Sequence, residues 1–453
     1  MEDRAGPLRH FSWTVPHHPI FERERTDCCL EFCLIGIDLN FTGMNMQKTL
    51  DVKIARILAD RSCGDFILAD AKDADMAYGL AAPGLSPEAH GKEAKFRTLD
   101  QYRTQIREVI AQGLVDIVLM SASTSEILTL KERLFENSPI TPAIRANDAT
   151  DIWLAGAEGV YTSTPSRPFR SASLDYAMCG KGTCRPEERK LGADLGLYSV
   201  TFNNDLERDM ETLLAYKQFR SEAASKGFRY FLEVFAPNAP SAAIADVPKF
   251  VNDHIVRTLA GVAGAERPVF LKIPYFGPKA MEDLAGFDSS LVVGILGGSA
   301  GTTFDAFQML WEAKKYGARV ALYGRKINSA EHQLTFIHIL RQIADGYLMP
   351  VDGVKLYHAE LKKLGISPRR PLEDDLRSMA QVLSYESAVH PSAAVPSGAE
   401  KTMENAPARP NASASMLSRP RGNAVPEEID DAASLSAQEK VRRNLERLNR
   451  IFG

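Results

Sequence analysis

Two ionisable residues interrupt apolar runs near the middle of the chain. Lys272 lies within the run PVFLKIP, and Glu233 is the single acid in the run RYFLEVF. Burial of an isolated ammonium group is costly, so such a lysine pairs with an anion or loses its proton. A neutral lysine can attack a carbonyl carbon and form a Schiff base. The two residues therefore predict either carbonyl chemistry with an acid/base partner or a buried ion pair without a catalytic role.

Two glycine-containing segments later in the chain could bind an anion. ILGGSAGTTF places Gly297, Gly298 and Ser299 between an apolar run and a helical segment. Glycine lets backbone N–H groups approach an anion, and a helix N-terminus adds positive potential. ALYGRKI then places Gly324 and Arg325 at the end of the last apolar run. Together the two segments predict a phosphate site; the alternative is a tight turn beside a solvated basic pair.

Charged residues crowd the end of the first apolar run, GDFILAD. The sequence continues as AKDAD, so that Asp70, Lys72, Asp73 and Asp75 stand close to the end of the run. A charged turn of this kind is often simply solvated. If it lies at the same rim as Lys272, it could instead bind the hydroxyl groups of a sugar.

Eight apolar runs of strand length, most of them followed by an amphipathic helical segment, predict the fold. The runs are GDFILAD, VDIVLM, TPAIRAN, LGLYSVTF, RYFLEVF, PVFLKIP, LVVGILG and RVALYG. This alternation predicts a (β/α)8 TIM barrel, in which residues at the carboxyl ends of the strands meet at one face. An open, doubly wound sheet is the alternative, because periodicity alone does not close a sheet.

The rest of the sequence indicates further segments around the barrel. We predict an N-terminal extension, the barrel, a disordered linker and an amphipathic C-terminal helix, over residues 1–60, 61–388, 389–433 and 434–453. The linker is rich in Pro, Ala, Ser, Asn and Gly. An apolar stripe on the last helix needs a partner surface, and we expect a homo-oligomer. Residues 148–192 form an insert that we expect to cross the barrel mouth.

Composition and charge limit the classes of partner. The chain has 453 residues, of which 45% are hydrophobic and 25% charged, with a formal net charge of -4. So small a net charge favours neither a nucleic acid nor an anionic membrane as a partner. The sequence begins without an apolar run of signal-peptide length, and no later run approaches a membrane span. We therefore expect a cytoplasmic protein whose partner is a small molecule.

The six cysteines do not suggest a disulfide framework in a chain of this length. Cys179 and Cys184 bracket a Gly-Lys-Gly-Thr loop, and three others lie near the N-terminus. Neither group has the repeated two-residue spacing of a zinc site. We expect reduced, structural thiols, with no metal and no cofactor.

The chain resembles the class I aldolases of the tagatose-bisphosphate and sulfofructose-phosphate type. The segments YFLEVF, VFLKIPY, LGGSA and YGRK stand in the order and spacing of that family, and the likeness runs from about Phe66 to Ala344. The resemblance implies that Lys272 forms the imine and that Glu233 transfers protons. It also implies that Asp70 matches an aspartate at the end of the family's first strand.

The same resemblance extends to the anion site, with departures elsewhere. It implies that Gly298, Ser299 and Arg325 hold the phosphate or sulfonate of a ketose. The family continues its first-strand motif with Gln-Arg-Gly, where this chain has Ala-Lys-Asp after Asp70. A second lysine on the family's fourth strand has no counterpart in LGLYSVTF.

The function implied by the resemblance is a metal-independent aldol cleavage or formation of a phosphorylated or sulfonated ketose. One alternative is a phosphosugar isomerase or epimerase on the same barrel, which would need a base but no imine. Another is a catalytically inactive barrel that acts as a scaffold. A zinc-dependent aldolase would need histidines at strand ends, whereas His254, His332 and His338 fall in helical segments.

Overall fold

Eight parallel strands close into a barrel in the computed structural model of the chain, which describes residues 46–86, 94–153, 160–298 and 301–379. The strands are β1 (Ile67–Lys72), β2 (Ile117–Met120), β3 (Thr141–Arg145), β4 (Leu195–Thr201), β5 (Arg229–Phe235), β6 (Leu271–Ile273), β7 (Val293–Leu296) and β8 (Val320–Tyr323). Each strand pairs in parallel with the next along the chain, and β8 pairs with β1 to complete the ring. The predicted (β/α)8 barrel is confirmed, and the open sheet was the wrong alternative.

Helices occupy most of the connections between the strands. The longer ones are α1 (Thr49–Ala59), α2 (Leu99–Gln112), α3 (Leu206–Lys226), α4 (Val247–Ala260), α5 (Pro278–Phe287), α6 (Thr303–Lys315), α7 (Gln333–Ala344) and α8 (Pro350–Lys363). Short helical segments span Asp75–Tyr78, Ala122–Ser125, Leu174–Cys179, Arg325–Asn328 and Leu372–Asp375. No helix in the described ranges is both long and apolar enough to cross a membrane.

Alternate side chains of each strand fill the barrel or pack against the helices. In β1, Ile67, Ala69 and Ala71 belong to the cluster inside the ring, whereas Leu68 belongs to the layer between strands and helices. Successive strand residues point to opposite faces of a sheet, which gives this alternation. The same alternation decides which ionisable side chains of a strand can reach the barrel interior.

Helix α1 packs across the amino ends of the strands, although the sequence assigned it to an N-terminal extension. Its Leu50 and Ile57 are fully buried within the cluster inside the ring. The Thr49 N–H donates a hydrogen bond to the Pro139 carbonyl, 2.9 Å away, just before β3 begins. With this end of the barrel covered, the opposite, carboxyl end is the face available for a site.

One pair of cysteines differs from the expectation of reduced thiols. Cys179 and Cys184 form a disulfide, with their Cα atoms 5.9 Å apart. Gly180, at a φ of 72°, ends the helix Leu174–Cys179 and turns the chain back, which brings the two thiols together. Cys63 carries a free thiol. The three cysteines near the N-terminus lie outside the described residues.

The predictions for the linker over residues 389–433 and for the helix over residues 434–453 also fall outside the described residues. The insert over residues 148–192 is described except for residues 154–159. It contributes a two-strand ribbon of Asp148–Ala149 with Pro168–Phe169 and the helix Leu174–Cys179. A second ribbon pairs Leu85–Ser86 with Lys95–Phe96, after β1.

Candidate active site

Lys272 and Glu233 contact each other inside the barrel. The two residues are register partners on β6 and β5, and their side chains leave the strands on the inward face. The Lys272 Nζ atom lies 2.6 Å from the Glu233 Oε1 atom. Lys272 is 7% exposed and Glu233 is 1% exposed. The pair is therefore close enough for direct proton transfer and is shielded from bulk water.

The second carboxylate oxygen of Glu233 is held by groups from β3 and β4. The Ser199 hydroxyl donates a hydrogen bond to Glu233 Oε2 over 2.7 Å, and an Arg145 guanidinium nitrogen lies 3.9 Å from the same oxygen. Arg145 Nε also donates to Asp73 Oδ2 over 2.6 Å. Burial alone would lower the pKa of Arg145, but the carboxylates of Asp73 and Glu233 raise it above its usual value. The guanidinium therefore stays charged and fixes the orientation of both carboxylates.

A cavity of about 100 Å³ lies beside Lys272 at the carboxyl ends of the strands. Its polar lining includes Asp73, Tyr78, Arg145, Glu233, Lys272 and Arg325. Its remaining lining consists of small or apolar residues: Ala71, Ala74, Ala77, Ile152, Phe235, Leu296, Gly297, Gly298, Leu322 and Gly324. Both segments proposed from sequence for anion binding thus reach the same cavity as the lysine.

Close packing explains two of the glycines in those segments. A Cβ atom at Gly297 would stand 2.2 Å from the Tyr323 ring, and one at Gly324 would stand 2.7 Å from the Ala71 carbonyl oxygen. Gly298 is different, because its added Cβ would meet open space while its φ is 59°. The first two glycines therefore allow β7, β8 and β1 to pack closely, and Gly298 leaves room for a ligand at the end of β7.

Arg325 is the cationic side chain that the β8 end contributes to the cavity. It begins the helix Arg325–Asn328, and its guanidinium carbon lies 5.4 Å from the centroid of the Tyr78 ring. Stacking on an aromatic face suits a guanidinium and limits its freedom. Ser299 lies outside the described residues.

Asp70 and Lys72 do not line the cavity. They alternate with Ala69 and Ala71, which point inward, so they face the helix layer instead. Lys72 Nζ lies 3.2 Å from Asp70 Oδ2, and both side chains are fully buried. Burial raises the pKa of Asp70 to about 6, although the charge of Lys72 opposes the shift. The roles assigned to them from sequence, catalysis and substrate binding, do not suit this placement.

The Asp70–Lys72 pair belongs to a buried polar cluster behind the site. Lys72 Nζ donates hydrogen bonds to Asn328 Oδ1 at 2.5 Å and to Gln333 Oε1 at 3.0 Å. The Asn328 amide in turn donates to the Tyr102 hydroxyl over 3.0 Å. Asn328 ends the short helix that Arg325 begins. The cluster therefore connects β1 to the helix that presents Arg325 to the cavity.

Lys72→Met should destabilise the fold strongly and in a pH-dependent way. Loss of the ammonium leaves the Asp70 carboxylate buried without its cation, which typically costs about 3–5 kcal/mol of unfolding free energy. A carboxyl whose pKa is higher in the folded than in the unfolded state loses stability as the pH rises through the folded value. Urea unfolding should therefore show a larger loss at pH 8 than at pH 5.

The double variant Asp70→Asn/Lys72→Met is the matched control for that prediction. It removes both charges, so it should recover most of the stability lost at pH 8. Equal losses at the two pH values, or a double variant no more stable than the single one, would contradict the prediction.

Two residues at the site, Arg145 and Ser199, were not predicted from the sequence, whereas Asp73 was among the charged residues noted after the first apolar run. Arg145 and Ser199 stand inside two of the predicted strands, TPAIRAN and LGLYSVTF. Ser199 is the register partner of Glu233, so the strand alignment was the signal that could have found it. Asp73 lies just beyond β1, where strand alternation no longer indicates direction.

The histidines weighed for a zinc site lie away from the strand ends. His254 lies in α4, His338 lies in α7, and His332 caps the N-terminus of α7. Within the part of the chain that the structure describes, no group of three or more His, Cys, Asp or Glu side chains could hold a metal ion.

Comparisons with known proteins give structural likeness at low identity. No family model matches the chain, and no curated protein matches it. It is similar to an archaeal fructose 1,6-bisphosphate aldolase, at 15% identity over 66% of this chain and 100% of that chain, with a TM-score of 0.46. It is similar to a Schiff-base-forming fructose-1,6-bisphosphate aldolase at 16% identity over 65% and 100% of the two chains, with a TM-score of 0.47. A fructose-bisphosphate aldolase from Slackia heliotrinireducens is 14% identical over 70% and 92% of the two chains, with a TM-score of 0.47.

Proposed function

We propose that the chain is a class I aldolase, which cleaves or forms a carbon–carbon bond of a phosphorylated or sulfonated ketose through a Schiff base on Lys272. The observation that supports this most is the 2.6 Å contact between Lys272 and Glu233 beside the cavity. It joins an amine nucleophile to a proton carrier in one buried place, which imine chemistry needs and a purely structural ion pair does not.

The first step is attack of the Lys272 amine on the ketose carbonyl. Transfer of a proton from the ammonium to Glu233 gives a neutral amine and a carboxylic acid. The amine nitrogen bonds to the carbonyl carbon, and the resulting carbinolamine loses water, with Glu233 returning the proton to the departing hydroxyl. The protonated imine that remains is an electron sink.

The second step breaks the carbon–carbon bond. Glu233, ionised again, accepts the proton of the hydroxyl on the carbon that becomes the aldehyde. The electron pair of the broken bond moves into the imine and gives an enamine, and the aldehyde leaves. Protonation of the enamine carbon and hydrolysis of the new imine release the ketone product and restore Lys272.

Ser199 and Arg145 support Glu233 in both steps. Their contacts to Oε2 leave Oε1 directed at Lys272. A base held in one orientation need not reorganise between proton transfers. Such preorganisation of catalytic groups accounts for a large part of enzymatic rate acceleration.

The anionic group of the ketose is proposed to bind between β7 and β8. Gly297 and Gly298 offer bare backbone there, and Arg325 offers a cation at the same cavity wall. Binding of the anionic group here would fix the position of the carbonyl carbon relative to the Lys272 amine. The binding free energy would thus be used to orient the reacting atoms.

Borohydride inactivation tests the proposal. The chain is incubated with dihydroxyacetone phosphate, borohydride is added, and residual aldol activity is measured after the small molecules are removed. Irreversible inactivation should need both reagents together, because borohydride reduces the imine to a stable amine. Isomerisation of the sugar phosphate that survives this treatment, without any aldol activity, would favour the isomerase or epimerase, and absence of any turnover would favour the scaffold.

A further inference from the structure

The charges that line the cavity are unevenly distributed. Three cationic side chains of the described residues line it, and two of them are already neutralised. Lys272 pairs with Glu233, and Arg145 pairs with Asp73 while also lying close to Glu233. Arg325 makes no ion pair within the described ranges, and its guanidinium contacts the Tyr78 ring instead. One cation is therefore available to a substrate anion, at the end of β8.

Among the residues that the structure describes, the opposite wall of the cavity offers no comparable group. In a ring of eight strands closed in chain order, β8 faces β4, so Arg325 lies across from the region between β3 and β5. That region contributes Ile152 and Phe235 to the lining, both apolar, and the neutralised Arg145. A phosphate placed there would lose water without gaining a free cation.

Carboxylates make the same region unfavourable for a second anion. Asp148 and Asp151 follow β3, are 5% exposed each, and accept hydrogen bonds from Ser171 and Ser166. Asp73, Glu233 and Asp148 all interact electrostatically with the Arg145 guanidinium, so the one cation of this region is already surrounded by carboxylates and is not available to a substrate anion.

The size of the cavity agrees with the charge distribution. Its volume of about 100 Å³ is well below the ~300–1,000 Å³ of sites for drug-sized ligands. A small uncharged group can enter such a space at little desolvation cost. A second phosphate would have to give up its hydration shell to enter it.

We propose that the ketose carries one anionic group, at the end that stays attached to Lys272, and that its aldehyde half is small and uncharged. This inference rests on the proposed aldolase function and narrows it, because it excludes ketose bisphosphates as preferred substrates. The selective element is the apolar wall opposite Arg325, formed by Ile152 and Phe235.

Competing acceptor aldehydes test this inference. With dihydroxyacetone phosphate as the common donor, aldol formation is measured with glyceraldehyde and with glyceraldehyde 3-phosphate. These acceptors differ only in the phosphate, so the ratio of their kcat/KM values reports discrimination against a second anion. We expect glyceraldehyde to be preferred by about tenfold or more. Equal rates, or a preference for the phosphorylated acceptor, would overturn the inference.

A pair of variants at Ile152 locates the effect. Ile152→Lys adds a cation to the wall opposite Arg325 and should shift the ratio toward glyceraldehyde 3-phosphate by about tenfold. Ile152→Gln has similar length without charge and should leave the ratio near that of the unaltered chain. An unchanged ratio in Ile152→Lys would contradict the assignment of this wall to the aldehyde.

Trapping with dihydroxyacetone phosphate alone distinguishes failure of this inference from failure of the proposed aldolase function. Formation of the adduct together with a preference for the phosphorylated acceptor would overturn this inference and leave the aldolase function standing. Failure of both adduct formation and aldol formation would overturn the aldolase function and this inference with it.

Discussion

Lys272→Met should abolish trapping of a substrate adduct and lower kcat by on the order of 10⁴-fold or more, the scale of loss when a covalent nucleophile is removed. Methionine has similar length and volume, so the packing of β6 against β5 is largely kept. No other group can replace the amine, because the imine is both the point of attachment and the electron sink. Borohydride trapping and steady-state kinetics measure the two effects.

Lys279→Met is the matched control for that substitution. Lys279 lies on α5, where its side chain is 88% exposed and pairs with Asp283. The same chemical change at this position should leave trapping and turnover at the level of the unaltered chain. Thermal unfolding of both variants shows whether Lys272→Met remains folded. A folded Lys272→Met chain with undiminished turnover would rule out the imine mechanism.

Glu233→Gln should lower kcat by about 10²–10⁴-fold, the usual contribution of general acid/base catalysis. Glutamine keeps the shape of the side chain and can still contact Ser199, but it cannot take the proton from Lys272 or from the cleaved hydroxyl. Adduct formation should become slow but remain possible, because the nucleophile is still present. Single-turnover trapping separates this slow chemistry from weak binding.

Ser199→Ala provides the comparison for Glu233→Gln. It removes the hydrogen bond to Oε2 and the one that the Ser199 hydroxyl accepts from Arg145, but it keeps the carboxylate, so its effect on kcat should be far smaller than that of the glutamine variant. Should Glu233→Gln turn over as fast as Ser199→Ala, the proton carrier would have to be another group.

The sequence was sufficient to predict the barrel and the pairing of Lys272 with a carboxylate. Eight apolar runs separated by helical segments leave few arrangements that bury them all, and the closed ring is one of them. The alternation of side chains along a strand predicted that Lys272 shares a face with Phe270. Because consecutive strands of a barrel are neighbours, Glu233 on the preceding strand was predicted to lie beside Lys272. Both inferences depend only on local geometry within adjacent strands.

The sequence was not sufficient where the direction of a side chain depends on the rest of the ring. Asp70 and Lys72 stand at the carboxyl end of β1, yet the inward positions of that strand are Ala69 and Ala71. Alternation relates these four residues to one another but does not say which pair faces the interior. Packing of Tyr102 and the polar partners Asn328 and Gln333 outside the ring decides it, and these come from distant parts of the chain.

The network around Glu233 shows a similar limit. Arg145 and Ser199 come from strands that precede β5 in the ring, and neither interrupts its run as conspicuously as Lys272 does. The Cys179–Cys184 disulfide likewise depends on a turn at Gly180, which spacing alone did not reveal.

Peptide mapping of the reduced adduct shows whether Lys272 is the residue that forms the imine. The chain is treated with isotopically labelled dihydroxyacetone phosphate and borohydride, digested, and analysed by tandem mass spectrometry. We expect one labelled peptide, which contains the sequence FLKIP and bears the label on Lys272. Label on a different lysine, such as the one buried beside Asp70, or no stable label during active turnover, would contradict it.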